Sequence, residues 1–139
     1  MVNIFFEDTE ALGLNPKLFV SWLCDVVSRE TLRLGDVNLI FTSDEYLLGV
    51  NQDHLNHDFY TDIITFDYRV GDTVSADLFI SVDMVRHNAD KLSLEFLTEL
   101  HRVVVHGVLH VCGYGDKTPE EKAVMTQKED GALVLMGSY

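Results

Sequence analysis

Residues 103–112 read Val-Val-Val-His-Gly-Val-Leu-His-Val-Cys. Wound as a helix, this segment has no polar face, and such a helix has to be buried. The rest of the chain must therefore wrap around it. Two imidazoles in those surroundings cost free energy unless each finds a partner. His106 and His110 are four residues apart and project from one helical face. That spacing lets two ring nitrogens converge on one ion about 2.0–2.1 Å from each. Gly113 and Gly115 then permit a sharp reversal, which returns Asp116 toward the same point. The set His106-x3-His110-x5-Asp116 offers two nitrogens and one carboxylate oxygen. Three protein ligands with one position left for water mark a catalytic zinc rather than a structural one. The competing reading has both histidines donating to buried carbonyls and Asp116 capping a loop. The apolar surroundings, the glycine-bracketed turn and the acid just beyond it favour the ion. A His-Glu-x-x-His protease is a weak reading, because the general base would stand at position 107, which is Gly107.

With 139 residues, the chain has the length of a single metal-dependent hydrolase domain, 1–139, with no linker, repeat or charge block to divide it. No apolar run reaches about 18 residues, so no transmembrane helix is expected. Met1 to Glu7 lacks a basic region before a long apolar stretch, so a signal peptide is not expected, and a cytoplasmic location is. The net charge of −13 repels polyanions at long range. Any contact with nucleic acid must come from a local site. Cys24 and Cys112 are far apart and read as reduced thiols that fill the core.

Val2 to Phe6 reads as a strand. Asn15 caps a helix with Pro16 at its first position. Its stripe is Leu18, Phe19, Trp22, Leu23, Val26 and Val27, and Gly35 ends that segment. Asp36 to Thr42 alternates as a strand, Ser43 opens a helix through Val50, and His54 to Tyr60 is a polar loop. Asp62 to Tyr68 and Val74 to Val82 form a hairpin about Gly71-Asp72. A helix begins at Ser81 or Asp83 and runs on to Val111 or breaks at Ser93. Thr118-Pro119-Glu120-Glu121 is a capping box opening a last helix to about Leu135. The expected fold is α+β: a small mixed, mostly antiparallel sheet of about four strands flanked by helices, with the metal site at the end of the buried helix.

His106-Gly-Val-Leu-His110-Val-Cys112-Gly-Tyr-Gly-Asp116 resembles the signature of the YbeY endoribonuclease family, His-Gly-x-Leu-His-Leu-x-Gly-Tyr-Asp-His. Thr61-Asp62-Ile63-Ile64-Thr65-Phe66 is similar to that family's Thr-Asp-Val-Leu-Ser-Phe, and Ala76-Asp77-Leu78-Phe79-Ile80 to its Gly-Asp-Ile-x-Ile. The resemblance implies a zinc-dependent endoribonuclease of single-stranded RNA, concerned with maturation of the 16S ribosomal RNA 3′ end and with ribosome biogenesis. Ribosomal RNA and the small ribosomal subunit are the implied partners, with a ribosome-associated GTPase among the candidates and no membrane.

Two departures stand out. The family's third ligand is usually histidine, whereas this chain has Asp116. A carboxylate is a normal zinc ligand, and a harder one, so Mn²⁺ or Ni²⁺ should be better tolerated. A family arginine six residues before the Thr-Asp block falls at Leu55. His54 and His57 flank the gap and are candidates to replace it, although solvated loop histidines are the plainer reading. Beyond a metal-held water, no catalytic group is assigned.

Cys112 rotates about 200° from His110 and should pack rather than ligate. His101 reads as a structural or surface histidine. Asp62 and Asp77 are either acceptors for the ligand N–H groups or ordinary solvated or strand-capping acids. Glu120, Glu121, Glu129 and Asp130 read as a solvated helix face. Two rival functions remain: a metal hydrolase of a small molecule, and a non-catalytic ribosome-assembly factor with a structural metal.

Overall fold

A computed structural model describes residues 1–139. In chain order the elements are β1 (Val2–Phe6), α1 (Pro16–Arg29), β2 (Arg33–Thr42), α2 (Asp44–Leu55), β3 (Ile63–Asp67), β4 (Thr73–Ser81), α3 (Val82–Leu92), α4 (Phe96–Cys112) and α5 (Pro119–Met136). The strands form one sheet in the order β1-β2-β4-β3. The fold is α+β as expected, but the sheet is mostly parallel, not mostly antiparallel. β1 and β4 both run parallel to β2, and only the β3–β4 hairpin is antiparallel. Parallel neighbours need long crossover connections. α1 supplies one, and α2 with β3 occupies the other.

Side chains along β2 and β4 alternate as a half-buried sheet requires. Val37, Leu39 and Phe41 lie beside Ala76, Leu78 and Ile80, all within 1% of complete burial. α1 covers β1 and β2 on this core, and α4 covers β4 and β3. Asn15 caps α1 by accepting from the Lys17 N–H, with Pro16 at the first position. The helix stops at Arg29, where Thr31 turns the chain at φ 59°. Gly35 therefore does not end it. That glycine sits inside β2 at the register shift between Leu34 and Val37, where a Cβ would collide with Ser75. α2 runs on to Leu55, so His54 is helical rather than in the loop read from its polarity. Ser93, at φ 56°, separates α3 from α4.

α4 is the central helix. Leu100, Val103, Val104, Val105, Val108, Leu109 and Val111 are all buried. Each such side chain contributes about 1.5–3 kcal/mol by leaving water. Gly107 lets the helix lie flush on the sheet. A Cβ there would come within 2.8 Å of Ile63 Cδ1 and 3.0 Å of Leu78 Cδ2. α5 closes the other side of α4, burying Met125 and Ala132 and taking a hydrogen bond from Trp22 Nε1 on the Ala132 carbonyl at 2.8 Å. No helix is long and apolar enough to cross a membrane.

Candidate metal centre

The last turns of α4 carry His106 and His110. Gly113, at φ 114°, then ends the helix in the left-handed region that glycine enters without penalty. The chain reverses through Tyr114 and Gly115 and brings Asp116 back. His106 Nε2 and His110 Nε2 lie 3.0 Å apart, and each is 3.3 Å from Asp116 Oδ2. These are the three residues whose ligand atoms cluster closely enough to hold one ion.

The outward nitrogens are committed elsewhere. His110 Nδ1 donates to the Tyr114 carbonyl at 2.8 Å. A carbonyl only accepts, so the proton is on Nδ1 and Nε2 carries a lone pair. His106 Nδ1 lies 2.6 Å from Glu129 Oε2, which fixes the same tautomer. Two bare ring nitrogens and a carboxylate oxygen at these separations repel one another. A proton or a cation between them removes the repulsion, and the donor set is one that zinc accepts. Burial alone would lower the His106 pKa, but the hydrogen bond and charge of Glu129, with Asp116 and Asp62 nearby, outweigh it and raise it.

Glu129 corrects the reading of a solvated face. It is 6% exposed, and its other oxygen accepts from Arg102 Nη1 at 3.0 Å. Arg102 also binds Asp130 at 2.9 Å. Arg102, Glu129 and His106 thus form one chain of charge-assisted contacts. A signal was present in the sequence: Met125, Glu129 and Ala132 share helical spacing, and all three are buried. Glu120 and Glu121 are exposed, as read, and Glu121 completes the capping box with Thr118.

Other fastenings were not foreseen. Arg69, between β3 and β4, donates through Nη1 to the Val111 and Cys112 carbonyls at 3.2 Å each and pins the end of α4. The Tyr114 hydroxyl donates to Glu30, just past α1, at 2.7 Å, and Lys128 of α5 meets the same carboxylate at 2.9 Å. The reversing loop is therefore tied to two helices.

The trio lies between two clefts. The larger, about 480 Å³, is lined by Leu55, His57, Phe59, Thr61, His106 and His110, among others. The smaller, about 320 Å³, includes Asp62, Glu99, Arg102, Lys122, Met125 and His106.

A family model described as Endoribonuclease YbeY matches residues 8–137. This chain belongs to the YbeY family. An Endoribonuclease YbeY from Parabacteroides distasonis is 43% identical over 135 residues, covering 97% of this chain and 95% of that protein. One from Bacteroides thetaiotaomicron is 49% identical over 114 residues, covering 82% and 83%. A protein of Thermotoga maritima with a known solution structure superposes with a TM-score of 0.66 at 26% identity, covering 98% of this chain and 89% of that one.

Leu55, expected at the position of a family arginine, stands at the end of α2 on the wall of the larger cleft. His57 lines that cleft too. His54 turns away, edge-on to Phe66 at 5.9 Å between ring centres. Neither Asp62 nor Asp77 accepts an N–H from His106 or His110. Asp77 takes a hydrogen bond from Asn38 at 2.8 Å, and Asp62 a long one from Asn88 at 3.4 Å. Asp62 is nonetheless in both clefts, and burial raises its pKa. Cys112 is half-buried outside the trio, its thiol pushed up to about 11 chiefly by burial. His101 packs edge-on against Phe19 and Trp22, and burial lowers its pKa.

Proposed function

We propose that this chain is a metal-dependent endoribonuclease that cleaves single-stranded RNA, with one domain, 1–139, carrying the whole reaction. His106, His110 and Asp116 hold one Zn²⁺, and the hard carboxylate also admits Mn²⁺ or Ni²⁺. The observation that carries this reading is the meeting of two Nε2 lone pairs with Asp116 Oδ2 at 3.0–3.3 Å, between two clefts. When bound, the ion supplies Lewis acidity toward a phosphoryl oxygen and acidifies water at neutral pH. The protein's share is positional. Glu129 and the Tyr114 carbonyl fix the imidazole tautomers. Phe59 and His57 offer aromatic faces on the larger cleft, on which bases of an unpaired strand stack.

With Leu55 in place of a cation and a net charge of −13, the protein gathers RNA poorly by itself. We infer that the substrate is presented on the small ribosomal subunit during maturation of the 16S ribosomal RNA 3′ end, in the cytoplasm, with a ribosome-associated GTPase a candidate partner. The acidity also favours a second reading, a metal hydrolase of a small molecule.

Elemental analysis of wild type, His110→Ala and Asp116→Ala, alongside cleavage of a fluorescent single-stranded RNA, tests the proposal. One equivalent of metal and cleavage in wild type, with both lost in the variants, is expected. Equal metal in all three would remove the site. Metal without any RNA cleavage would shift the assignment to the small-molecule hydrolase or to a non-catalytic assembly factor.

A further inference from the structure

The smaller cleft has a chemistry unsuited to phosphate. Asp62, Glu99, Asp116 and Glu129 line it against Arg102 and Lys122. Arg102 is already paired with Glu129 and Asp130. The remaining charge is negative, and a phosphate is repelled there. What such a cleft takes is a neutral, donor-bearing group or a cation.

Glu99 is the unexplained member. It is 5% exposed, and its Oε1 is sealed from solvent without a hydrogen-bond partner. A buried acceptor left unpaired costs free energy and calls for a reason. Burial, and then the neighbouring Asp62, raise its pKa, so the ionised group is destabilised as it stands. Its Oε2 has no hydrogen-bond partner either but is not sealed, so a donor entering the cleft meets the carboxylate there. The groups available to hold a second cation are too dispersed: only His106, His110 and Asp116 cluster within reach of one ion. Ile63, Val103 and Met125 supply apolar walls, and about 320 Å³ accommodates one planar heterocycle. Glu99 precedes His106 by seven residues on the same face of α4, about 10.5 Å along the axis. That separation leaves room for a ribose and its base beside a phosphate at the trio.

We propose that this cleft is a nucleobase subsite in which Glu99 accepts a hydrogen bond from the exocyclic amine of a base next to the cleaved phosphate. Adenine, cytosine and guanine carry that amine. Uracil carries none: its one donor on that edge, N3–H, is flanked by two carbonyl oxygens that a carboxylate repels. The proposal rests on the ribonuclease reading and gives it a substrate preference.

Cytidine offers its amine where uridine offers a carbonyl oxygen, and a hydrogen bond to a charged acceptor is worth about 10- to 100-fold. Single-stranded RNAs carrying C or U on either side of the cleaved bond should differ by that factor in kcat/KM with wild type. Glu99→Gln, whose amide both donates and accepts, should bring the ratio close to unity with metal content and circular dichroism unchanged. A binding arm needs no cleavage: cytidine monophosphate should bind more tightly than uridine monophosphate to wild type, and equally to Glu99→Gln. If RNA is never cut but this binding preference appears and disappears with Glu99, the subsite stands and the ribonuclease reading falls. Cleavage indifferent to C and U, a preference for U, or an unchanged ratio in Glu99→Gln overturns the subsite. So does a second metal equivalent that Glu99→Gln loses.

Discussion

A carboxylate 2.6 Å from His106 Nδ1 decides which nitrogen of that ring stays bare. Glu129→Gln keeps the shape of the side chain but removes the charge that holds the imidazole and balances Arg102. Partners of this kind are worth 10- to 100-fold in metal affinity. Competition with a chromophoric chelator should show a loss of that size in Glu129→Gln, with the far-ultraviolet dichroism intact. Three of the site's residues were readable because their geometry is local. A four-residue helical step and a glycine turn place His106, His110 and Asp116 with no knowledge of the rest of the fold. Glu129 comes from another helix, and an acid standing beside Lys128 and Asp130 reads as solvated. Only its place between Met125 and Ala132 betrayed it. Asp62 and Asp77 had the right chemistry for the supporting role, but neither side chain meets a ligand N–H.

Among the elements, the loop after α4 bears the greatest demand, since it must present the Tyr114 carbonyl and the Asp116 carboxylate together. Its anchor is the Tyr114 phenol on Glu30, shared with Lys128. Tyr114→Phe should cost about 1–2 kcal/mol in urea unfolding, because the lost hydrogen bond ends on a charged group that still reaches solvent. Metal affinity should weaken with it. Burial raises the Glu30 pKa, but the Tyr114 hydrogen bond and Lys128 outweigh it and hold the carboxyl below its usual 4.5. A depressed folded pKa contributes stability above the unfolded value, and that stability disappears as pH falls through the folded one. The gap between wild type and Tyr114→Phe should therefore be full at pH 7 and narrow below about pH 4. Helix starts were legible in the sequence, since Asn15, Ser43, Ser81 and Thr118 each cap by local hydrogen bonds. The parallel pairing of β1, β2 and β4 was not, because it joins strands across long crossovers that leave no local mark. The hairpin does leave one, and it made the sheet look more antiparallel than it is.

For the whole molecule, charge sets the terms of any encounter with RNA. A basic nuclease loses affinity steeply as salt rises. This chain, at −13, should do the reverse or stay flat. Raising monovalent salt from about 20 to 150 mM shortens the screening length to about 8 Å and weakens the long-range repulsion. kcat/KM on a short RNA should hold or increase over that range, and a steep fall would point instead to a basic docking surface. The seating of α4 on the sheet bears on how this scaffold can change over time. Even a methyl group at position 107 presses on the ends of Ile63 and Leu78, and the longer glutamate of a zinc protease would have to displace both. A proton acceptor at position 107, between the two imidazoles, thus comes only at the cost of repacking the helix against the sheet. New activities in this lineage must arise along the rims, at positions such as 55, 57 and 99, while the helix beneath them stays as it is.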